Sequence, residues 1–281
     1  ITERPINEVV FSLLDPDIRV NGKGKKILID SGIEVRNGIL KSKAFNLYAG
    51  HYMNKLKKRP KVTLKIAAST DGKIGFLRKK TNITNKKLKQ HTFQLRMESD
   101  AILIGSNTAR VDNPKLDCRI KGLEKYSPIK IIINRDLNLP ISLQALNSNK
   151  QKTIIFSSCC DQRKINKYTC ENNEIISLQD SKFNLTNILE ILADLGISDL
   201  LVEGGGITSS YFLKEDVVDK LIIYKGNMII GNHGIDSFNI SNVNKKIKYS
   251  IKDLFKVDNN HVEEYEFEEF TNFKNQIIER Y

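Results

Sequence analysis

The stretch "LLVEGGGITSSYFL", Leu200 to Leu213, sets the reading of the whole chain. A short apolar run of the kind that fills a buried strand passes through Glu203 into three glycines, Gly204, Gly205 and Gly206. Thr208, Ser209 and Ser210 then open a segment with helical apolar spacing. Glycines let a ligand approach the backbone, and the free N–H groups of a helix start favour an anion such as a pyrophosphate. The run is not the G-x-G-x-x-G fingerprint, and no acidic residue about 20 positions later completes a dinucleotide site of that type. A phosphate cradle and a merely tight strand-to-helix turn both fit these residues. Glu203 points at the same crevice, where a carboxylate can bind hydroxyls or a cation, or form an ordinary surface ion pair.

Working outward, the strand signature repeats. "VTLKIAAS" (Val62 to Ser69), "DAILIGS" (Asp100 to Ser106), "IKIIIN" (Ile129 to Asn134), "KTIIFS" (Lys152 to Ser157) and "DLLVE" (Asp199 to Glu203) are short apolar runs, several apolar throughout as in strands buried on both faces. Helical spacing falls between them, at Asn85 to Ser99 with Leu88, Thr92, Leu95 and Met97 on one side, and at Leu185 to Gly196. "KIKYSIKDLFKVD" and "HVEEYEFEEF" read as a closing antiparallel pair, and the charged tail from Thr271 reads as frayed. The fold class is therefore α/β, a mostly parallel sheet with an antiparallel edge. Ligands of such sheets bind beyond the carboxyl ends of the strands.

"ILIGSNTARVDNPKLDCR" (Ile102 to Arg119) reads as a strand followed by a Ser-Asn-Thr turn. Thr108 and Asp112 can hold ribose or phosphate oxygens there, and Arg119 with Arg96 can clamp a phosphate through forked donors, unless both are simply solvated.

The 281 residues, 40% hydrophobic and 28% charged, describe a globular chain with one main domain and an appendage. The boundary falls near residue 58: residues 1–58 supply two strands and two helices, too little for a core of their own, and residues 59–281 carry the α/β pattern. The net charge of +12 comes from dispersed lysines with no aromatic interleaving, which argues for a basic surface and against a nucleic-acid partner. Cys118, Cys159, Cys160 and Cys170 form no C-x-x-C pair, so reduced thiols and no metal site are expected. No membrane span or signal pattern is present, and the expected location is cytoplasmic. The first residue is Ile1, from which a longer reading frame is expected.

Five motifs in order, "DPDIRVNGKG", "GIEVRNGIL", "VTLKIAASTDGKI", "LRMESDAILIGSNTARVDNPKL" and "LLVEGGG", carry a resemblance. The chain resembles the bacterial riboflavin-biosynthesis family that fuses a pyrimidine deaminase to a 5-amino-6-(5-phosphoribosylamino)uracil reductase. The resemblance implies a dihydrofolate-reductase-like NADPH-binding domain, preceded by the closing strands and helices of a cytidine-deaminase-like domain. The deaminase's zinc motifs would lie before Ile1, so zinc is implied only for that missing part.

The implied reaction is reduction of the phosphorylated ribosylaminopyrimidine by hydride from NADPH. By motif position, Ala67, Asn82, Thr108, Asp112, Arg135 and the loop Gly205, Gly206, Ile207, Thr208, Ser209, Ser210 and Tyr211 would contact the cofactor. Arg96, Leu116, Arg119 and Glu203 would line the substrate pocket, both arginines facing the sugar phosphate. Lys65 and Glu203 are expected to form an ion pair across the pocket and to carry the catalysis, with Asp71-Gly72 turning into a lid-like loop. Lys80 and Asn82 stand where the family has Ser and Trp, Arg135 where Ser is usual, and Met228 where Lys is frequent. A homo-oligomer and no membrane partner are expected. Two other readings fit the same residues: a degenerate remnant acting through association, and a folate-type reductase.

Overall fold

The computed structural model describes residues 2–77, 79, 81–147, 150–238 and 248–280. Continuous runs of β-branched and leucine residues supply the centre of a nine-stranded sheet. Its strands are β3 (Lys61–Ala68), β5 (Ala101–Gly105), β6 (Ile129–Ile133), β7 (Thr153–Ser157), β8 (Asn173–Ser177), β9 (Asp199–Val202), β10 (Lys220–Lys225), β12 (Tyr249–Val257) and β13 (Asn260–Phe267). The spatial order is β12-β13-β10-β3-β9-β5-β6-β7-β8. From β10 to β8 every pairing is parallel, and β13 and β12 close one edge as an antiparallel pair. The chain thus builds outward from β3 to β8, returns to insert β9 between β3 and β5, and adds β10 on the other side of β3.

Period-2 alternation divides the side chains between two faces. On one face Leu64, Leu103 and Val202 pack with Leu185 and Leu189 of α6 (Leu185–Asp194) and Phe212 of α7 (Gly206–Lys214). On the other, Ile102, Ile132 and Leu201 pack with Ala109 of α4 (Ser106–Asp112), Leu143 and Tyr168, the last on α5 (Gln162–Tyr168). Beside them Leu88 of α3 (Lys86–Met97) lies on Ile222, Tyr224 and Val262. A small two-stranded sheet, β4 (Lys73–Phe76) with β11 (Gly234–Asp236), covers the carboxyl end of β3.

The first 58 residues contribute β1 (Glu8–Phe11) and β2 (Glu34–Asn37), paired in parallel, with α1 (Lys23–Asp30) and α2 (Lys41–Lys57). They do not stand apart. Asn54 of α2 donates to Ala193 O and Ile197 O at 3.0 and 3.2 Å, and just past the segment Arg59 grips the buried Asp219 through two bonds of 2.7 and 2.8 Å.

Three expectations are corrected. The tail does not fray but forms α8 (Glu268–Arg280), because Phe270, Phe273 and Ile277 recur at helical spacing and bury against Phe45, Tyr52 and Met53 of α2. Ser106-Asn107-Thr108 opens α4 rather than making a turn. The inward stripe of α3 is Leu88, Thr92 and Arg96, with Met97 outside it, so the helix turns the Arg96 guanidinium inward. Among the described residues no helix is long and apolar enough to cross a membrane.

Candidate active site

The carboxyl ends of β3, β9 and β5 meet under the β4–β11 flap. Alternation along β3 places Lys65 and Ala67 opposite the buried Leu64 and Ile66. Glu203 follows β9, continues the ladder by donating its N–H to Leu103 O at 3.0 Å, and shares the face of Leu201. Lys65, Ala67, Asn82, Thr108, Asp112, Leu116, Glu203 and Gly205 thereby line one cavity of about 220 Å³, which Ile74, Ile83, Ile104 and Pro114 complete with apolar surface.

The charges inside it are organised differently from the sequence expectation. Glu203 is held by Arg96, whose Nε and Nη2 donate to the two carboxylate oxygens at 2.8 and 2.9 Å, while Nη1 donates to Asp117 O at 3.1 Å. Burial pushes the Glu203 carboxyl up, but the charge and hydrogen bonds of Arg96, with Lys65 nearby, outweigh it and hold the group below the usual carboxylate range. Lys65 forms no ion pair with Glu203. Its Nζ lies over the Tyr224 ring, 4.6 Å from the centroid. Burial lowers its pKa, the Glu203 charge opposes that in part, and Arg96 lowers it further. The expected Lys65–Glu203 contact is thus replaced by a shared field, because α3 delivers a bidentate partner the strand pattern does not reveal.

Arg96 is consequently committed behind the site rather than facing a phosphate. Arg119 is half exposed, pairs with Asp117 at 2.8 Å, and lines a neighbouring groove of about 840 Å³ with Lys115, Lys125 and Lys130.

The glycine turn separates the first cavity from a second of about 330 Å³, lined by Ser106, Asn107, Arg135, Phe183, Ile207, Thr208 and Tyr211. A Cβ at Gly204 would stand 3.0 Å from Thr208 Cβ, one at Gly205 3.1 Å from Thr108 Oγ1, and one at Gly206 2.5 Å from Asp236 O. The bare backbone is therefore structural as well as accessible. Helix α7 starts at Gly206 with no side-chain cap. Ser209 is fully buried, and its Oγ has no hydrogen-bond partner among the described residues. Ser210 Oγ bonds back to Gly206 O at 2.6 Å. An uncapped helix start, bare glycines and a cavity on either side fit the pyrophosphate of a dinucleotide. Arg135 lies over the Phe183 ring at 4.9 Å and pairs with Asp180 at 3.3 Å.

At the lid-like turn, Asp71 accepts from Ser69 Oγ at 2.6 Å and from the amides of Ile230 and Gly231 at 3.1 and 2.7 Å. Met228 contributes its carbonyl to Thr70 N–H at 2.9 Å. Lys80 lies outside the described residues. Nothing in the sequence marks Tyr224 or His91; only the register of β10 on β3, with Ile222 opposite Lys65, puts Tyr224 on the site's face.

Residues 60–263 match the family model described as the RibD C-terminal domain. The chain is 34% identical over 256 residues to the riboflavin biosynthesis protein RibD of Aquifex aeolicus, covering 90% of this chain and 70% of that one. It is 32% identical to RibD of Bacillus amyloliquefaciens, covering 82% of this chain and 62% of that protein. A Thermotoga maritima structure named as a diaminohydroxyphosphoribosylaminopyrimidine deaminase/5-amino-6-(5-phosphoribosylamino)uracil reductase superposes with a TM-score of 0.83. It is 28% identical and is matched over 95% of this chain and 73% of its own. Acinetobacter baumannii RibD, 24% identical, shares the fold with a TM-score of 0.84 over 95% of this chain and 74% of that one. With the site at the carboxyl ends of β3, β9 and β5 inside the matched segment, the chain belongs to the RibD C-terminal domain family.

Proposed function

We propose that this chain is a pyrimidine reductase of riboflavin biosynthesis, reducing 5-amino-6-(5-phosphoribosylamino)uracil to its ribitylamino product with NADPH. The observation that carries the reading is the cavity in which Lys65 and Glu203 face the glycine turn across the ends of β3 and β9, in a chain of this family.

When bound, NADPH supplies the hydride that C1′ of the ribosylamino group accepts. Its pyrophosphate would be held by the amides of Gly206, Ile207 and Thr208, its adenosine end by Arg135 and Tyr211, and its nicotinamide end by Ala67, Asn82 and Thr108, with Asp112 beside them. Glu203, kept ionised by Arg96, offers its remaining lone pairs to ribose hydroxyls and so fixes C1′. Lys65 Nζ donates the proton that O4′ needs as the C1′–O4′ bond opens, and burial, by lowering its pKa, makes the ammonium a readier donor. Leu116 supplies apolar wall. With Arg96 engaged, the sugar phosphate falls to Arg119, whose exposed guanidinium stacks on Phe93 at 5.6 Å.

Loss of NADPH absorbance on mixing the chain with the ribosylaminouracil phosphate tests the reading. Turnover of that substrate and none of dihydrofolate is expected; a folded sample that consumes no NADPH refutes it.

A further inference from the structure

We propose that Tyr224 is a positioning residue for Lys65, its ring face holding the ammonium in the cavity where a carboxylate would otherwise be needed. The inference deepens the reductase reading and rests on it for the role of Lys65.

A lysine charge turned into a protein interior requires compensation, and the usual source is a paired carboxylate. Here Glu203 is already engaged through both oxygens by Arg96. The group that meets Lys65 Nζ is instead the face of Tyr224, 4.6 Å away. An aromatic face carries negative potential, and its attraction for a cation grows when water is excluded. Tyr224 is fully buried, so this ring is such a desolvated partner.

The ring is also fixed. Its hydroxyl is 2.6 Å from His91 Nδ1, and the His91 ring tilts over it with centroids 5.6 Å apart. Phe255 of β12 meets His91 edge-on at 5.9 Å, closing the stack from outside. Phenol, imidazole and phenyl therefore brace one another from the antiparallel edge to the cavity. A neutral face leaves the ammonium free to hand over its proton without a carboxylate competing for it, which a direct Lys65–Glu203 pair would not.

The charged groups around this arrangement are Glu203 from the end of β9 and Arg96 from α3 at the lysine. Glu264 of β13, Lys220 of β10 and Glu98 just beyond α3 surround His91. None of them replaces the ring at Lys65 Nζ.

The test replaces Tyr224 by Met, which fills space without a π face, and by Phe, which keeps it. A phenylalanine with a fluorinated ring serves as a third form, with the shape kept and the negative face removed, should Tyr224→Met fail to give a cooperative thermal transition. Two readouts are taken: the NMR titration of the Lys65 side chain, and kcat against pH with KM for NADPH.

Loss of the ring face should lower the Lys65 midpoint and the alkaline limb of kcat together, by about one pH unit, the scale of a desolvated cation–π contact. Turnover should fall roughly 10-fold with KM for NADPH unchanged, and Tyr224→Phe should recover the limb and most of the turnover. A Lys65 midpoint in Tyr224→Met or the fluorinated form equal to that of Tyr224→Phe overturns the inference. Wild-type protein without turnover would instead defeat the reductase reading, and the Lys65 titration would still decide the contact.

Discussion

Arg96 and Glu203, 107 positions apart in the chain, close a two-point ion pair at 2.8 and 2.9 Å behind the candidate active site. The pair ties α3 to the end of β9 and fixes the carboxylate that faces the cavity. Removing one partner leaves a charge buried without compensation. Arg96→Ala should cost about 3 kcal/mol, the low end of the usual range because Lys65 remains near Glu203. Urea denaturation measures it, and Arg96→Lys, which lacks the fork, should recover only part.

Lys65 should show the opposite balance between stability and activity. Its pKa is lowered in the folded chain, chiefly by burial. The unfolded state therefore holds the proton more tightly, so the cost to stability is present at neutral pH and relieved as pH rises through the lysine range. Lys65→Met should raise stability by about 0.5–2 kcal/mol while abolishing turnover. A melting temperature at or below wild type would show that Lys65 carries no such cost.

The parts of the site that a strand can specify were legible in the sequence. Ala67, Glu203 and the glycine turn sit on apolar runs or immediately beyond them, so their place at carboxyl ends follows from the pattern, whereas Leu116 enters only through the family resemblance. What was hidden depends on docking. The resemblance implies a Lys65–Glu203 pair, and their strands are indeed neighbours, but the bidentate partner arrives from α3, whose rotation is set by Leu88 and Thr92 going inward. In α8 the stripe Phe270, Phe273 and Ile277 was masked by the surrounding charges.

Asp71 should give the acid limb of lid stability. Ser69 Oγ, then the amides of Ile230 and Gly231, hold its carboxyl at about 2, below the ordinary value near 3.9. Its contribution is therefore complete above about pH 4 and lost as pH falls through about 2. Amide exchange at Ile230 and Gly231, corrected for intrinsic rates, should lose protection across that window. In Asp71→Asn the protection should be weak already at pH 5 and change little below it.

Arg135 stands in the second cavity beside Phe183, Asn184 and Tyr211. Under the proposed function, the phosphate that distinguishes NADPH from NADH would fall to this planar, forked donor. Arg135→Ala should weaken NADPH binding roughly 10-fold or more, the worth of a charged hydrogen bond, and leave NADH binding unchanged. Fluorescence titration with both cofactors separates the outcomes; equal losses for the two would place Arg135 away from that phosphate.

Phe273 couples the two ends of the chain. Its ring meets Phe45 of α2 edge-on at 6.1 Å, Phe270 meets the same ring at 5.9 Å, and Lys57 Nζ lies over Phe273 at 5.4 Å. Because α2 also bonds the end of α6 through Asn54, a cavity at Phe273 should loosen α2 and α8 together rather than fray the tail alone. Phe273→Ala should cost about 3–5 kcal/mol in chemical denaturation. Hydrogen exchange should show the α2 amides gaining solvent access along with those of α8, while β5, β6 and β7, buried in the other cores, keep their protection. Loss confined to α8 would mean that the amino-terminal segment is held by its contacts to α6 and not by the shared aromatic cluster.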